Sequence, residues 1–91
     1  MPDGATAWFY RTAAGAEIDL VIEQGSRRRI AIEIKRSLAP SVSKGFHLGC
    51  EDINATHRFI VYPGVEQYPV SNHAIVIPLA ETMTALRNTL G

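Results

Sequence analysis

Polar and apolar residues alternate almost strictly from Glu17 to Glu23, with Ile18, Leu20 and Ile22 on one face. The alternation returns from Arg29 to Lys35, with Ile30, Ile32 and Ile34 as the apolar set. A period of two with β-branched residues at the apolar positions predicts a strand in each segment. Residues 7–12 (Ala-Trp-Phe-Tyr-Arg-Thr) are aromatic-rich and bounded by small residues and Gly, so they read as a preceding strand, and Ala13 to Gly15 read as a turn. Beyond Pro40, the spacing of Val42, Phe46, Cys50 and Ile53 marks one helical face and predicts a helix from about Ser41 to Ile53. Gly45 and Gly49 weaken that helix. His57 to Tyr62 forms a further strand closed by a Pro63-Gly64 turn, and Ala74 to Ile77 a short last one. Pro78 suits the first turn of a terminal helix carrying Leu79, Met83, Leu86 and Leu90. The predicted order is β-β-β-α-β-β-α, an α/β fold in the α+β sense, with helices covering a mixed sheet.

The second and third strands are joined around Gly25-Ser26-Arg27, a connection short enough only for an antiparallel hairpin. Burial of the isoleucine faces sets the register, because a one-residue slip turns one of them to solvent. Centring the loop on Ser26 makes partner numbers add to about 52, which places Asp19 opposite Glu33 and Glu17 opposite Lys35. Glu17, Asp19, Glu33 and Lys35 then project from one face. Two carboxylates facing each other across a sheet destabilise it unless positive charge lies between them or solvent screens them. On that argument Glu33→Gln stabilises the metal-free fold slightly. Hard carboxylate oxygens without a nearby His or Cys suit Mg²⁺ or Mn²⁺ better than zinc. Such an ion acidifies a bound water and offsets charge at a phosphorane-like transition state, with Lys35 placed to orient or deprotonate the water. The bland reading is a solvated hairpin face with Glu–Lys pairing.

Composition narrows the partners. The 91 residues suffice for one small domain, and nine basic residues balance nine acidic ones, so no global positive field points to a nucleic acid. Cys50 is the sole cysteine, which excludes an internal disulfide and fits a reducing cytoplasm; its place on the helix face reads as core. No apolar run approaches the ~20 residues of a membrane span, and the N-terminus lacks the basic and apolar regions of a secretory signal. Arg27-Arg28-Arg29 reads first as a solvated hairpin tip and only second as a phosphate contact. His47, His57 and His73 have no second imidazole or thiol at ligand spacing and read as ordinary residues.

Asp19, thirteen intervening residues and then Glu33-Ile34-Lys35 resemble the core of the PD-(D/E)XK nuclease superfamily. Trp8-Phe9-Tyr10-Arg11-Thr12, Gly15-Ala16-Glu17-Ile18-Asp19, Ile32-Glu33-Ile34-Lys35 and Ile77-Pro78-Leu79 together resemble one group within it. That group is the C-terminal domain of unknown function found in prokaryotic AAA+ family ATPases. The resemblance implies a restriction-endonuclease-like core with Asp19 and Glu33 as metal ligands, the Ile34 carbonyl as a third ligand and Lys35 as the catalytic lysine. Glu17 is a further candidate ligand from the shared face. The implied cofactor is Mg (or Mn), and the implied partners are DNA or RNA and the rest of a parent ATPase chain. Two departures stand out. The helix that usually precedes the first core strand is missing, so the sequence reads as a fragment of a longer protein, and a homodimer is one expected way to cover the apolar surface left behind. No G-x-x-x-x-G-K-[ST] phosphate loop is present. The first expectation is therefore a metal-dependent nuclease, and the alternative is a non-catalytic accessory or interaction module of an AAA+ ATPase.

Overall fold

The computed structural model describes residues 4–25 and 27–90. Its elements are β1 (Ala5–Arg11), β2 (Glu17–Gln24), β3 (Arg28–Ile34), α1 (Lys44–Asp52), β4 (His57–Tyr62), β5 (Tyr68–Pro69), β6 (Ala74–Pro78) and α2 (Leu79–Leu90). They build a six-stranded mixed sheet in the order β1-β2-β3-β4-β6-β5. β1, β2 and β3 form an antiparallel meander, β3, β4 and β6 run parallel, and β5 folds back antiparallel on β6. The α+β expectation with a mixed sheet holds, but the order gains a strand. Tyr68–Pro69 is too short to leave a periodic signal, and proline is tolerated there because the strand lies at the sheet edge.

Burial on both faces explains the dense packing of so small a sheet. Ile18, Val21, Ala31, Ile60, Tyr62, Ala74 and Val76 pack with Phe46 and Cys50 of α1 on one face. Ile22, Ile30, Ile32, Phe59, Val61 and Ile77 pack with Leu90 on the other, where Ala85 and Leu86 of α2 close over them. The β2–β3 register runs from Leu20↔Ile32 to Gln24↔Arg28, so partner numbers do add to 52, while Ser26 itself lies outside the described residues. The uniform alternation of β2 does not survive. Trp8 pairs with Val21 but Tyr10 with Ile18, so three residues of β2 oppose two of β1 and a β-bulge falls at Asp19–Leu20. Ile18 therefore joins the α1 face while Leu20 and Ile22 lie on the α2 face.

α1 begins at Lys44, three residues later than the periodicity suggests. Ser43, with extended backbone, is its N-cap and accepts the Phe46 N–H at 3.1 Å. Asn54, at φ 54, supplies the left-handed residue after its last turn. Gly45 and Gly49 do more than weaken this helix. A Cβ on Gly45 would lie 2.5 Å from the Gly15 carbonyl oxygen, and one on Gly49 would lie 2.7 Å from the Ile18 side chain. Their bare backbone lets α1 lie directly on the start of β2, beside the bulge. The terminal helix also departs from expectation: Leu86 and Leu90 pack inward, but Leu79 is 65% and Met83 68% exposed. With the exposed Phe9 and Ile34, they leave large apolar side chains uncovered on the surface.

Gly49→Ala forces a methyl group into Ile18, and we expect it to destabilise the fold by about 1–3 kcal/mol despite alanine's better helix propensity, as read by urea denaturation. Cys50 gives a second expectation. Burial pushes its thiol up from 9.0 to about 11, with Glu33 and Glu51 adding to the shift and Arg58 opposing it. The neutral thiol resists alkylation in the native state at pH 8. Its contribution to stability is complete below about pH 9 and is lost as pH rises towards 11, because only the unfolded thiol ionises in that window. Rapid native-state reaction of Cys50 with a thiol reagent would contradict this.

Candidate functional site

At the carboxyl end of β3, the bulge in β2 spreads the hairpin ladder, whose last pair is Leu20↔Ile32. Asp19 takes over from the missing rung: its Oδ2 accepts the Ile34 N–H at 2.8 Å. This uses one carboxylate oxygen and leaves Oδ1 for another ligand. Glu33 lies two residues beyond Ala31, on the same α1-covered face, and is 8% exposed. A carboxylate this buried requires donors, and three are present. The Ser43 hydroxyl donates to Oε1 at 2.7 Å, Lys35 Nζ pairs with the same oxygen at 3.1 Å, and the Ser43 N–H approaches Oε2 at 3.5 Å. The positive end of α1 adds to this, because Ser43 is its cap.

Asp19, Glu33 and Lys35 are thus gathered around one peptide, that of Ile34. The β3–β4 ladder continues past it through Lys35 N–H to the Val61 carbonyl at 2.8 Å, which holds the backbone of the motif in place. On the other side of the sheet the Ile34 side chain is exposed and lines a shallow pocket of about 310 Å³ with Lys35, Arg36, Tyr62, Pro63 and Leu79. The pocket opens at the carboxyl ends of the parallel strands, where α/β sheets commonly place ligands.

Glu17 does not join the other three. It pairs with Arg11 on β1 and the two side chains form an exposed ion pair at 3.1 Å. The bulge explains this, since the extra residue reverses the side on which Glu17 projects, and the expected juxtaposition with Lys35 does not form. The arginine run is also distant, at the opposite end of β3. Arg29 is committed to Glu23 at 2.6 Å and to the Ile53 carbonyl at 2.9 Å, and Arg28 reaches Gln24. His57 Nδ1 lies 3.1 Å from the Thr56 hydroxyl, and His73 occupies a turn at φ 62. His47 Nδ1 is buried without a hydrogen-bond partner.

Among the described residues no group of three or more His, Cys, Asp or Glu side chains comes close enough to hold a metal. Asp19 and Glu33 thus have no third carboxylate, imidazole or thiol beside them among the described residues. Ser43 is the residue that sequence reasoning missed. A serine ahead of an apolar helical run signals a cap, but nothing in the sequence indicates that the same hydroxyl reaches Glu33.

These contacts reverse the sign expected for Glu33→Gln. Each carboxylate already has protein donors, so removing the Glu33 charge leaves Lys35 without its partner and weakens a charge-assisted hydrogen bond. We expect a loss of about 1–2 kcal/mol in metal-free chemical denaturation; an increase in stability would show that carboxylate repulsion dominates instead.

Two uncharacterized proteins, Mb2031c of Mycobacterium bovis and Rv2008c of Mycobacterium tuberculosis, are each 34% identical to the chain over 77 residues. The aligned region is 85% of this chain but only 17% of either relative's length. No solved structure matches the chain, and no helix among the described residues is long and apolar enough to cross a membrane. The domain of unknown function DUF4143 matches residues 2–82, nearly the whole chain, and the protein belongs to that family.

Proposed function

We propose that this domain is a metal-dependent nuclease-like module of the PD-(D/E)XK type, acting on nucleic-acid phosphodiesters. One arrangement carries the reading: Asp19 accepts the Ile34 N–H, and Glu33 and Lys35, paired with each other, flank Ile34 at the carboxyl end of β3. Asp19 Oδ1 and Glu33 Oε2, the oxygens least engaged by the protein, together with the Ile34 carbonyl, would hold Mg²⁺ or Mn²⁺. Bound there, the ion supplies a water of lowered pKa and neutralises charge on the phosphoryl oxygens. Asp19 is held by the Ile34 N–H and Glu33 by Ser43, so neither ligand has to be ordered when the site is used. Lys35 exchanges its ion pair with Glu33 for the attacking water or the developing oxyanion.

A second reading has its own support. DUF4143 domains are commonly found with AAA ATPases, and Phe9, Ile34, Leu79 and Met83 expose apolar surface of the kind another polypeptide segment covers. On that reading the domain is a non-catalytic interaction module, and the Glu33–Lys35 pair with its serine is structural.

Calorimetric titration with Mn²⁺, run beside a cleavage assay on single- and double-stranded DNA and RNA, separates the two. We expect wild type to bind Mn²⁺, Asp19→Ala to weaken binding by at least about 10-fold, and Lys35→Ala to reduce cleavage by about 100-fold or more with little change in metal affinity. Binding that Asp19→Ala leaves untouched, or no binding at all, sinks the nuclease reading. Metal binding without cleavage of any of the substrates favours the interaction module.

A further inference from the structure

We propose that Ser43 is the positioning residue for Glu33, setting which carboxylate oxygen is available to a divalent cation; this rests on the metal-site reading above. The Ser43 hydroxyl has one proton, and it is given to Glu33 Oε1 at 2.7 Å. Its oxygen accepts the Phe46 N–H at 3.1 Å, so the same atom caps α1 and holds the carboxylate. The Ser43 N–H lies 3.5 Å from Oε2, so one residue approaches both oxygens and fixes the plane of the group. Lys35 pairs with Oε1 as well. Oε1 is therefore doubly engaged, and Oε2 keeps only the long contact. Oε2 is thus the oxygen that a cation can take without displacing the Ser43 hydroxyl or Lys35. Because the donor is the cap of α1, and Gly45 and Gly49 seat α1 against the Gly15–Ile18 backbone of β2, the orientation of Glu33 is tied to the strand that carries Asp19. Groups that hold a metal-ligating carboxylate from behind commonly change metal affinity by about 10–100-fold when removed.

The test compares Ser43→Gly, Ser43→Ala and Ser43→Thr in the same chain, by Mn²⁺ titration and by urea denaturation without metal. Glycine caps a helix nearly as well as serine, alanine much less well, and threonine keeps both the cap and the hydroxyl. A residue that only caps the helix makes stability fall in alanine more than in glycine and leaves Mn²⁺ affinity unchanged. A positioning residue makes affinity follow the hydroxyl: we expect about 10-fold or weaker binding in both Gly and Ala, with Thr close to wild type. Wild-type affinity in Ser43→Gly overturns the assignment and leaves the metal site standing. Absence of Asp19-dependent Mn²⁺ binding in wild type overturns the metal site and this inference with it, so the two failures are distinguishable.

Discussion

One extra residue in β2 organises the whole molecule. The bulge at Asp19–Leu20 lets Ile18 and Val21 share the α1 face although they are three apart, and so lets β2 contribute to both cores. It also ends the regular ladder with β3 at Leu20↔Ile32. The Ile34 N–H that would otherwise lack a protein partner is met by the Asp19 carboxylate. That N–H is exposed, so water could serve it, and the Asp19 carboxylate instead fixes the backbone at the end of the hairpin. Fold and site share this cause.

The surroundings of Glu33 illustrate the same economy. A nearly buried carboxylate requires compensation, and the chain supplies it from two directions: Lys35 from its own strand, two residues on, and Ser43 from the helix that follows. Neither contact is a surface ion pair of negligible worth, since Glu33 is withdrawn from solvent and hydrogen-bonded as well as charge-paired. The exposed Arg11–Glu17 pair offers the contrast, with the same separation of 3.1 Å and both partners in water.

Much of this was legible in the residues, and what was not has physical reasons. Alternation locates β2 and β3, and the short Gly25–Arg27 connection sets a register that holds from Gln24↔Arg28 to Leu20↔Ile32 and stops short of the site residues. The bulge left no trace, because Ile18, Leu20 and Ile22 read as an unbroken stripe. That stripe also suggested one buried face and one solvated face, whereas the sheet is covered on both, so Val21 and Ala31 are as buried as the isoleucines. Parity puts Asp19 opposite Glu33 and Glu17 opposite Lys35, but the ladder stops at Leu20↔Ile32, so Asp19 meets the Ile34 N–H instead and Glu17 pairs with Arg11. Gly45 and Gly49 read as helix weakeners because close approach to Gly15 and Ile18 is a tertiary fact. Ser43 could be suspected as a cap, but its bond to Glu33 joins residues ten apart through a loop without periodicity.

The strand order carries a kinetic consequence. β1, β2 and β3 pair with their sequence neighbours, so this meander closes through short loops. The parallel pairing of β3 with β4 spans the intervening segment and α1, and a larger share of such distant contacts goes with slower folding. Asp19 and the Ile34 peptide belong to the meander, Ser43 to the segment that joins β3 to β4. The grip on Glu33 is thus completed only when the two parts meet, which makes the arrangement of its side chain a record of folding brought to its end.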